Sequence, residues 1–278
     1  MREKSLTEIL KSQKIAPKKR FGQNFLTNPT ILSRIVREAE VKPSDTVLEI
    51  GPGPGTLTQY LVEKAKKVVA VELDQRMVEL LREKKKNVPN LQVHHKDILE
   101  VNIDELMAGE SYLAVANVPY YITSAIFRHL LGASNQPSRI IFTIQKEVAE
   151  RICELDGTSS LLSLSIRVYG KPQILFEIPA EAFDPQPKVD SAVLRVDLYS
   201  EPMIPREKLE DFFRITKAGF SQKRKTIKNS LSGGLARKPS EVDSWLQSAK
   251  IDPNRRAETL QIPEWRALID TERISDSI

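Results

Sequence analysis

Cysteine is almost absent. Cys153 is the single one in 278 residues, so no internal disulfide can form. Histidine is scarce as well: His94 and His95 alternate across a strand pattern and His129 is distant, so no metal site is expected. No run of 18 apolar residues occurs, and a membrane-spanning helix is not expected. The N-terminus has no apolar signal core, which leads us to expect a cytoplasmic protein. Internal repeats and low-complexity segments are missing too. Acid is missing from one long basic stretch. Phe212 to Ser240 carries eight basic residues and no Asp or Glu, in a chain that holds 37 of them.

What is present is a globular composition, 40% hydrophobic, long enough for one large domain and a smaller one. The net charge of +5 permits a polyanionic partner, and its distribution points the same way. Met1 to Arg20 holds seven basic and two acidic residues and ends in Lys18, Lys19 and Arg20. Lys223, Arg224, Lys225 and Lys228 fall in a helical pattern after Gly219-Phe220, with 224 and 228 one turn apart. A solvated helix face is the ordinary reading of such a run, but so long a stretch without acid favours contacts to nucleic-acid phosphates.

The chain is organised around Thr46 to Thr58. Thr46 to Ile50 reads as a buried parallel strand, and Gly51, Gly53 and Gly55 follow at alternate positions before a helical pattern. That is how an open α/β sheet presents a nucleotide-like ligand. A dinucleotide fingerprint is excluded by spacing, because Thr56 stands where the third glycine belongs. Pro52 and Pro54 have no N–H, so the turn discards donors that a pyrophosphate needs. The turn suits a ligand with ribose and adenine but no phosphate, of which S-adenosylmethionine is the common example. Glu72, at the end of a strand over 67–71, is placed to accept from ribose hydroxyls, and Asp97, past a strand over 91–95, from the adenine amino group.

The alternation continues with helices over 56–65 and 75–86, strand 111–116, helix 123–131, strand 139–145, helices near 146–155 and 159–169, and strands near 173–178 and 190–198. Ahead of it, Asn28-Pro29 starts a helix whose apolar face is Ile31, Leu32, Ile35, Val36 and Ala39. The expected fold is α/β, a doubly wound Rossmann-like sheet followed by a small all-α C-terminal domain. The expected division is a basic arm over 1–20, a methyltransferase domain over 21–200 and a helical RNA-binding domain over 201–278.

A second chemical stretch, Asn117-Val118-Pro119-Tyr120, follows the strand ending at Ala116, on the same sheet edge as Gly51, Glu72 and Asp97. The adenine N6 lone pair is delocalised into the ring and is a poor nucleophile. The Asn117 side-chain oxygen and the Val118 carbonyl are placed to accept both N6 hydrogens and aim the lone pair at a methyl group. Tyr120 is placed to stack on a flipped base. Phe183, before Pro185 and Pro187, has two readings left open: a ring held against the target base, or a core aromatic.

These stretches, with Phe21-Gly22-Gln23-Asn24-Phe25-Leu26, Glu72-Leu73-Asp74, Phe183 to Val193 and Phe220 to Thr226, resemble the KsgA family of small-subunit (16S-type) ribosomal RNA adenine N6,N6-dimethyltransferases. The resemblance runs from residue 17 to about 260. It implies that S-adenosylmethionine is held by Asn24, Leu26, Gly51, Glu72, Asp97 and Asn117, with Gly53 in the same turn. It also implies dimethylation of two adjacent adenosines in a hairpin loop near the 3′ end of the small-subunit RNA, in a pre-assembled small subunit and by a monomer. Val118 stands where the family often has Leu, and Tyr121 where it often has Asn. Two alternatives remain: a large-subunit RNA dimethyltransferase of the antibiotic-resistance type, and a non-catalytic RNA-binding assembly factor.

Overall fold

The computed structural model describes residues 23–86, 88–154 and 157–272. Lys18, Lys19 and Arg20 lie outside them. The chain divides into two compact units. One holds the described residues up to Ala149 together with Pro172–Leu198; the other holds Glu150–Lys171 and Tyr199 onward. The second unit thus takes residues 150–171 from within the expected domain over 21–200, as well as Tyr199 onward.

In the first unit the chain runs through β1 (Phe25–Leu26), α1 (Pro29–Glu38), β2 (Thr46–Ile50), α2 (Thr58–Lys64), β3 (Lys67–Glu72), α3 (Gln75–Lys85) and β4 (Leu91–His95). It continues through α4 (Ile103–Met107), β5 (Tyr112–Asn117), α5 (Thr123–Gly132) and β6 (Arg139–Gln145) into α6 (Lys146–Cys153), whose residues from Glu150 on belong to the second unit. After α7 (Leu161–Arg167), which belongs to the second unit, come β7 (Gly170–Ile178), β8 (Phe183–Asp184) and β9 (Ser191–Leu198). Seven strands form one sheet in the order β4-β3-β2-β5-β6-β9-β7. The first five are parallel, and β9 runs antiparallel to β6.

Sequence explains this order locally. All five residues of β2 are buried, as a strand covered on both faces requires. The α1 helix starts because Asn28 accepts the N–H groups of Thr30 and Ile31 and Pro29 has no N–H to lose. Its Leu32, Ile35 and Val36 pack with Val47, Val68, Val115 and Val193 in one core. Each such side chain contributes about 1.5–3 kcal/mol of burial. The strand order reverses between β2 and β5, so the loops after these two strands open the crevice where an α/β sheet takes its ligand.

Two segments differ from expectation. Phe25–Leu26 and Phe183–Asp184, for which no strand is expected, form a two-stranded antiparallel pair, Leu26 opposite Phe183, with a cis Asp184–Pro185 bond. The basic cluster is not a helix face either. In the second unit α8 (Leu209–Gly219) ends where Ser221 returns both its N–H and its hydroxyl to the Ala218 carbonyl. The next helix, α9 (Ile227–Gly234), is capped by the Thr226 hydroxyl, which holds residue 226 extended. Lys223, Arg224 and Lys225 therefore occupy an exposed turn, and only Lys228 is helical. The unit is completed by α10 (Pro239–Ser248) and α11 (Ile262–Thr271), around Phe212, Leu231, Leu246 and Trp265.

Candidate active site

The turn after β2 uses up its own donors. Gly51 N–H donates to the Val71 carbonyl (2.9 Å) and Gly55 N–H to the Pro52 carbonyl (3.0 Å). Gly53 N–H donates to Glu72 Oε2 at 2.9 Å. Pro52 and Pro54 have none to give, so no N–H between 51 and 55 is left for a phosphate. Gly53 sits at φ +55°, and a Cβ there would lie 2.9 Å from the Phe25 ring; one on Gly51 would meet nothing within 4 Å, because Gly51 borders a cleft.

Glu72 is buried, and each of its oxygens is engaged: Oε2 by Gly53 and Oε1 by the Asp74 N–H at 2.7 Å. Burial pushes its carboxyl upward, against the pull of these backbone N–H groups. Asp74 caps α3 and accepts from Arg76 and from the Gln23 amide (3.2 Å). Burial acts to raise the Asp74 carboxyl, but Arg76 and Gln23 outweigh it and bring it to about 2. Asp97 accepts from Leu99 N–H at 2.9 Å and starts the turn after β4.

Asn117 ends β5. Its Nδ2 donates to the Asn24 carbonyl at 3.0 Å, which fixes the amide and leaves Oδ1 as its acceptor end. Val118 N–H donates to the Thr143 carbonyl at 3.1 Å. Pro119 follows, and the Tyr120 hydroxyl lies 2.7 Å from the buried Ser191 hydroxyl. Burial pushes the Tyr120 phenol upward; the Ser191 hydrogen bond opposes this and Asp190 adds to it.

Asn24, Gly51, Gly53, Glu72, Asp97, Asn117, Val118, Pro119 and Tyr120 line one cleft that is open to solvent. Leu26 and Phe183 do not line it. Leu26 is 1% exposed and Phe183 4%, both in the core with Leu32 and Ile35. Of the two readings of Phe183 the core aromatic is the observed one, because pairing of β8 with β1 turns the ring inward. Lys228 is ion-paired to Asp243 at 3.2 Å, whereas Lys223, Arg224 and Lys225 have no carboxylate partner among the described residues.

Sequence reasoning missed Gln23 and Asp74, which tie the segment before β1 to α3; the sequence signal was an Asp directly before a helical run. It also missed Glu49. This carboxyl sits inside β2, beside a smaller cavity lined by Phe25, Gly51, Thr56 and Asn117. Its Oε2 and the Thr58 hydroxyl are buried without a hydrogen-bond partner. Burial pushes Glu49 up to about 8; the neighbouring Thr58 hydroxyl opposes this, and the Glu72 charge adds to it.

The family model for ribosomal RNA adenine dimethylase matches residues 15–272. A ribosomal RNA small subunit methyltransferase A of Dehalococcoides mccartyi is 41% identical over 262 residues, 94% of this chain and 90% of that protein. One of Alkaliphilus metalliredigens is 40% identical over 267 residues, 94% of this chain and 93% of that protein. Among solved structures, the 23S rRNA methyltransferase ErmE aligns with a TM-score of 0.70 at 29% identity, over 89% of this chain and 99% of its own. A dimethyladenosine transferase from Plasmodium falciparum aligns at 0.69 and 25% identity, over 88% and 95%.

Proposed function

The chain belongs to the ribosomal RNA adenine dimethylase family, and from that premise we propose that it dimethylates the N6 groups of two adjacent adenosines in a hairpin loop near the 3′ end of small-subunit ribosomal RNA. The observation that carries the reading is the Asn117 amide. It is clamped by the Asn24 carbonyl at the carboxyl end of β5, with its oxygen left to accept, beside a cleft that also holds Glu72 and Asp97.

The cleft fits S-adenosylmethionine as the methyl donor. The glycine turn leaves no N–H for a phosphate, and the buried carboxylate oxygens of Glu72 suit a ligand carrying hydroxyls. When bound, the donor supplies a methyl group on a positively charged sulfur. Glu72 would accept from the ribose and Asp97 from the adenine, with Asn24, Gly51, Gly53 and Asn117 forming the rest of the wall. Asn117 Oδ1 and the Val118 carbonyl accept the two N6 hydrogens of the target base, and the tethered Tyr120 ring stacks on it. No strong base is required, because the methylated ammonium is acidic and loses its proton readily.

Support for the small subunit over the large comes from the names of the relatives at about 40% identity; the large-subunit enzyme shares the fold at 29%. The exposed turn of Lys223, Arg224 and Lys225 supports phosphate contacts in a pre-assembled subunit. Incubation with labelled S-adenosylmethionine and either undermethylated small subunits or large-subunit RNA tests the reading. We expect label in N6,N6-dimethyladenosine of the small subunit, reduced about 10²-fold or more by Asn117→Ala, as for loss of one preorganised polar group. Label confined to large-subunit RNA, or none in either, would overturn it.

A further inference from the structure

Among the described residues six large apolar side chains are exposed, and their placement is uneven. Leu73 is 44% exposed, Leu99 36%, Tyr121 62% and Val189 39%. Leu73 follows β3, Leu99 follows β4 and Tyr121 follows β5, all at the carboxyl ends of parallel strands. Val189 precedes β9, whose first residue, Ser191, pairs with the last residue of β6, Gln145. All four therefore belong to the same sheet edge, around the mouth of the cleft, and Leu73 and Tyr121 line it directly.

The two adjacent tyrosines differ in kind. The Tyr120 ring is partly buried and its hydroxyl is tied to Ser191. Tyr121 is the most exposed of the six, and no hydrogen bond from its hydroxyl occurs among the described residues. One ring is fixed in the cleft wall and the other stands open at its rim. Lys96 and Lys188 lie on the same edge, beside Asp97 and Val189. A rim of apolar and aromatic surface interleaved with lysines is the chemistry of single-stranded nucleic acid, in which bases stack on rings and phosphates meet cations. Chemistry on a base requires that base to leave its stack, and its neighbours then expose their own faces.

We propose that Tyr121, with Leu73 on the same cleft, is a platform for the unpaired nucleotide next to the target adenosine, so that the protein grips the loop through a base it does not methylate in that turnover. The proposal rests on the RNA-methylating reading above. Tyr121 acts here as a specificity-determining contact, separate from the acceptors at Asn117 and Val118.

The test uses the full chain and a stem–loop RNA carrying the target adenosines. Each nucleotide flanking the target is replaced in turn by an abasic site. Binding is measured for the wild type, Tyr121→Ala and Tyr121→Phe, each shown to be folded by its thermal transition. On intact RNA, Tyr121→Ala should weaken binding about tenfold or more, within the range for loss of one base–aromatic stack. Tyr121→Phe should bind as the wild type does. On one of the two abasic RNAs the wild type should lose the same factor, and Tyr121→Ala should lose nothing further. The KM of methylation should follow the affinity while kcat changes little. Equal losses from Tyr121→Ala on all three RNAs, or no loss on intact RNA, would overturn the platform. A wild type that methylates no loop at all would instead remove the reading beneath it.

Discussion

Two turns of this molecule are built in opposite ways. The one after β2 lies among buried groups, with its N–H donors spent within the protein and its neighbours Glu72 and Glu49 out of water. The one between α8 and α9 exposes every residue from Ser221 to Lys225, and its three cations have no carboxylate partner among the described residues. A buried turn selects by shape and by fixed acceptors, because in a low dielectric each misplaced polar group is costly. An exposed turn acts through screened charges, so it attracts a polyanion without reading it. The family's two ligands, a small methyl donor and a large RNA, call for these two designs respectively.

The sharpest way to probe the buried turn is pH. The Glu49 carboxyl stays protonated to about 8 in the fold, against 4.5 for an ordinary glutamate. Well below 4.5 both states hold the proton and the contribution of Glu49 to stability is fully present. As pH rises towards 8 the unfolded chain releases its proton while the fold retains it, so stability falls, and it levels off above that. The swing is on the order of 4 kcal/mol. Urea unfolding at pH 5 and pH 8.5 should show the loss in the wild type and most of it gone in Glu49→Gln. An unchanged pH dependence in that variant would mean the carboxyl is ionised and solvated after all. The upward displacement of Glu72 has the same sign and leaves a remainder in the variant.

Next in size is Glu72→Ala. It strands the buried N–H groups of Gly53 and Asp74, each costing about 1–3 kcal/mol. Stability should fall by that order, and calorimetry should show weakened S-adenosylmethionine binding in the folded fraction. Wild-type affinity would remove Glu72 from the donor site and leave it a purely structural brace.

The exposed turn should show the smallest effect on stability and a distinct one on binding. Changing Lys223, Arg224 and Lys225 to Ala should alter unfolding by no more than about 0.5 kcal/mol, as surface changes do. RNA affinity should drop, and the log–log salt slope should flatten by about 0.7 for each phosphate that is no longer neutralised. If slope and affinity both stay as they are, the turn is only solvated surface and the contrast between the two turns collapses.

Most of the sheet was legible in the sequence because its signals are local. Continuous apolar runs mark strands buried on both faces, and the proline-spaced glycines mark the turn at the first strand's end. Asn117 was legible because it follows such a run directly. What was not legible depends on distant partners. β1 and β8 have two residues each, too few for any period, and exist only through each other across more than 150 residues. Phe183 was therefore undecidable until its strand partner was known. The spacing of Lys223 to Lys228 fits a helix, but Thr226 serves better as a cap, and Lys228 is claimed by Asp243 from another helix. Glu49 was in plain view as a carboxyl within an apolar strand, a pattern that itself signals a perturbed group.

The clamp on the Asn117 amide has a consequence for how the protein is made. The Asn24 carbonyl that holds the amide adjoins β1, and among the described residues β1 pairs only with β8, at Phe183–Asp184. A ribosome synthesising this chain delivers Asn24 first, Asn117 much later, and the strand that anchors the clamp later still. A nascent chain halted between residues 117 and 183 carries the glycine turn and the asparagine but lacks a complete β8 to hold β1 in place. The hold of β1 on the Asn24 end of the clamp is therefore complete only once Phe183–Asp184 has been made and paired with it.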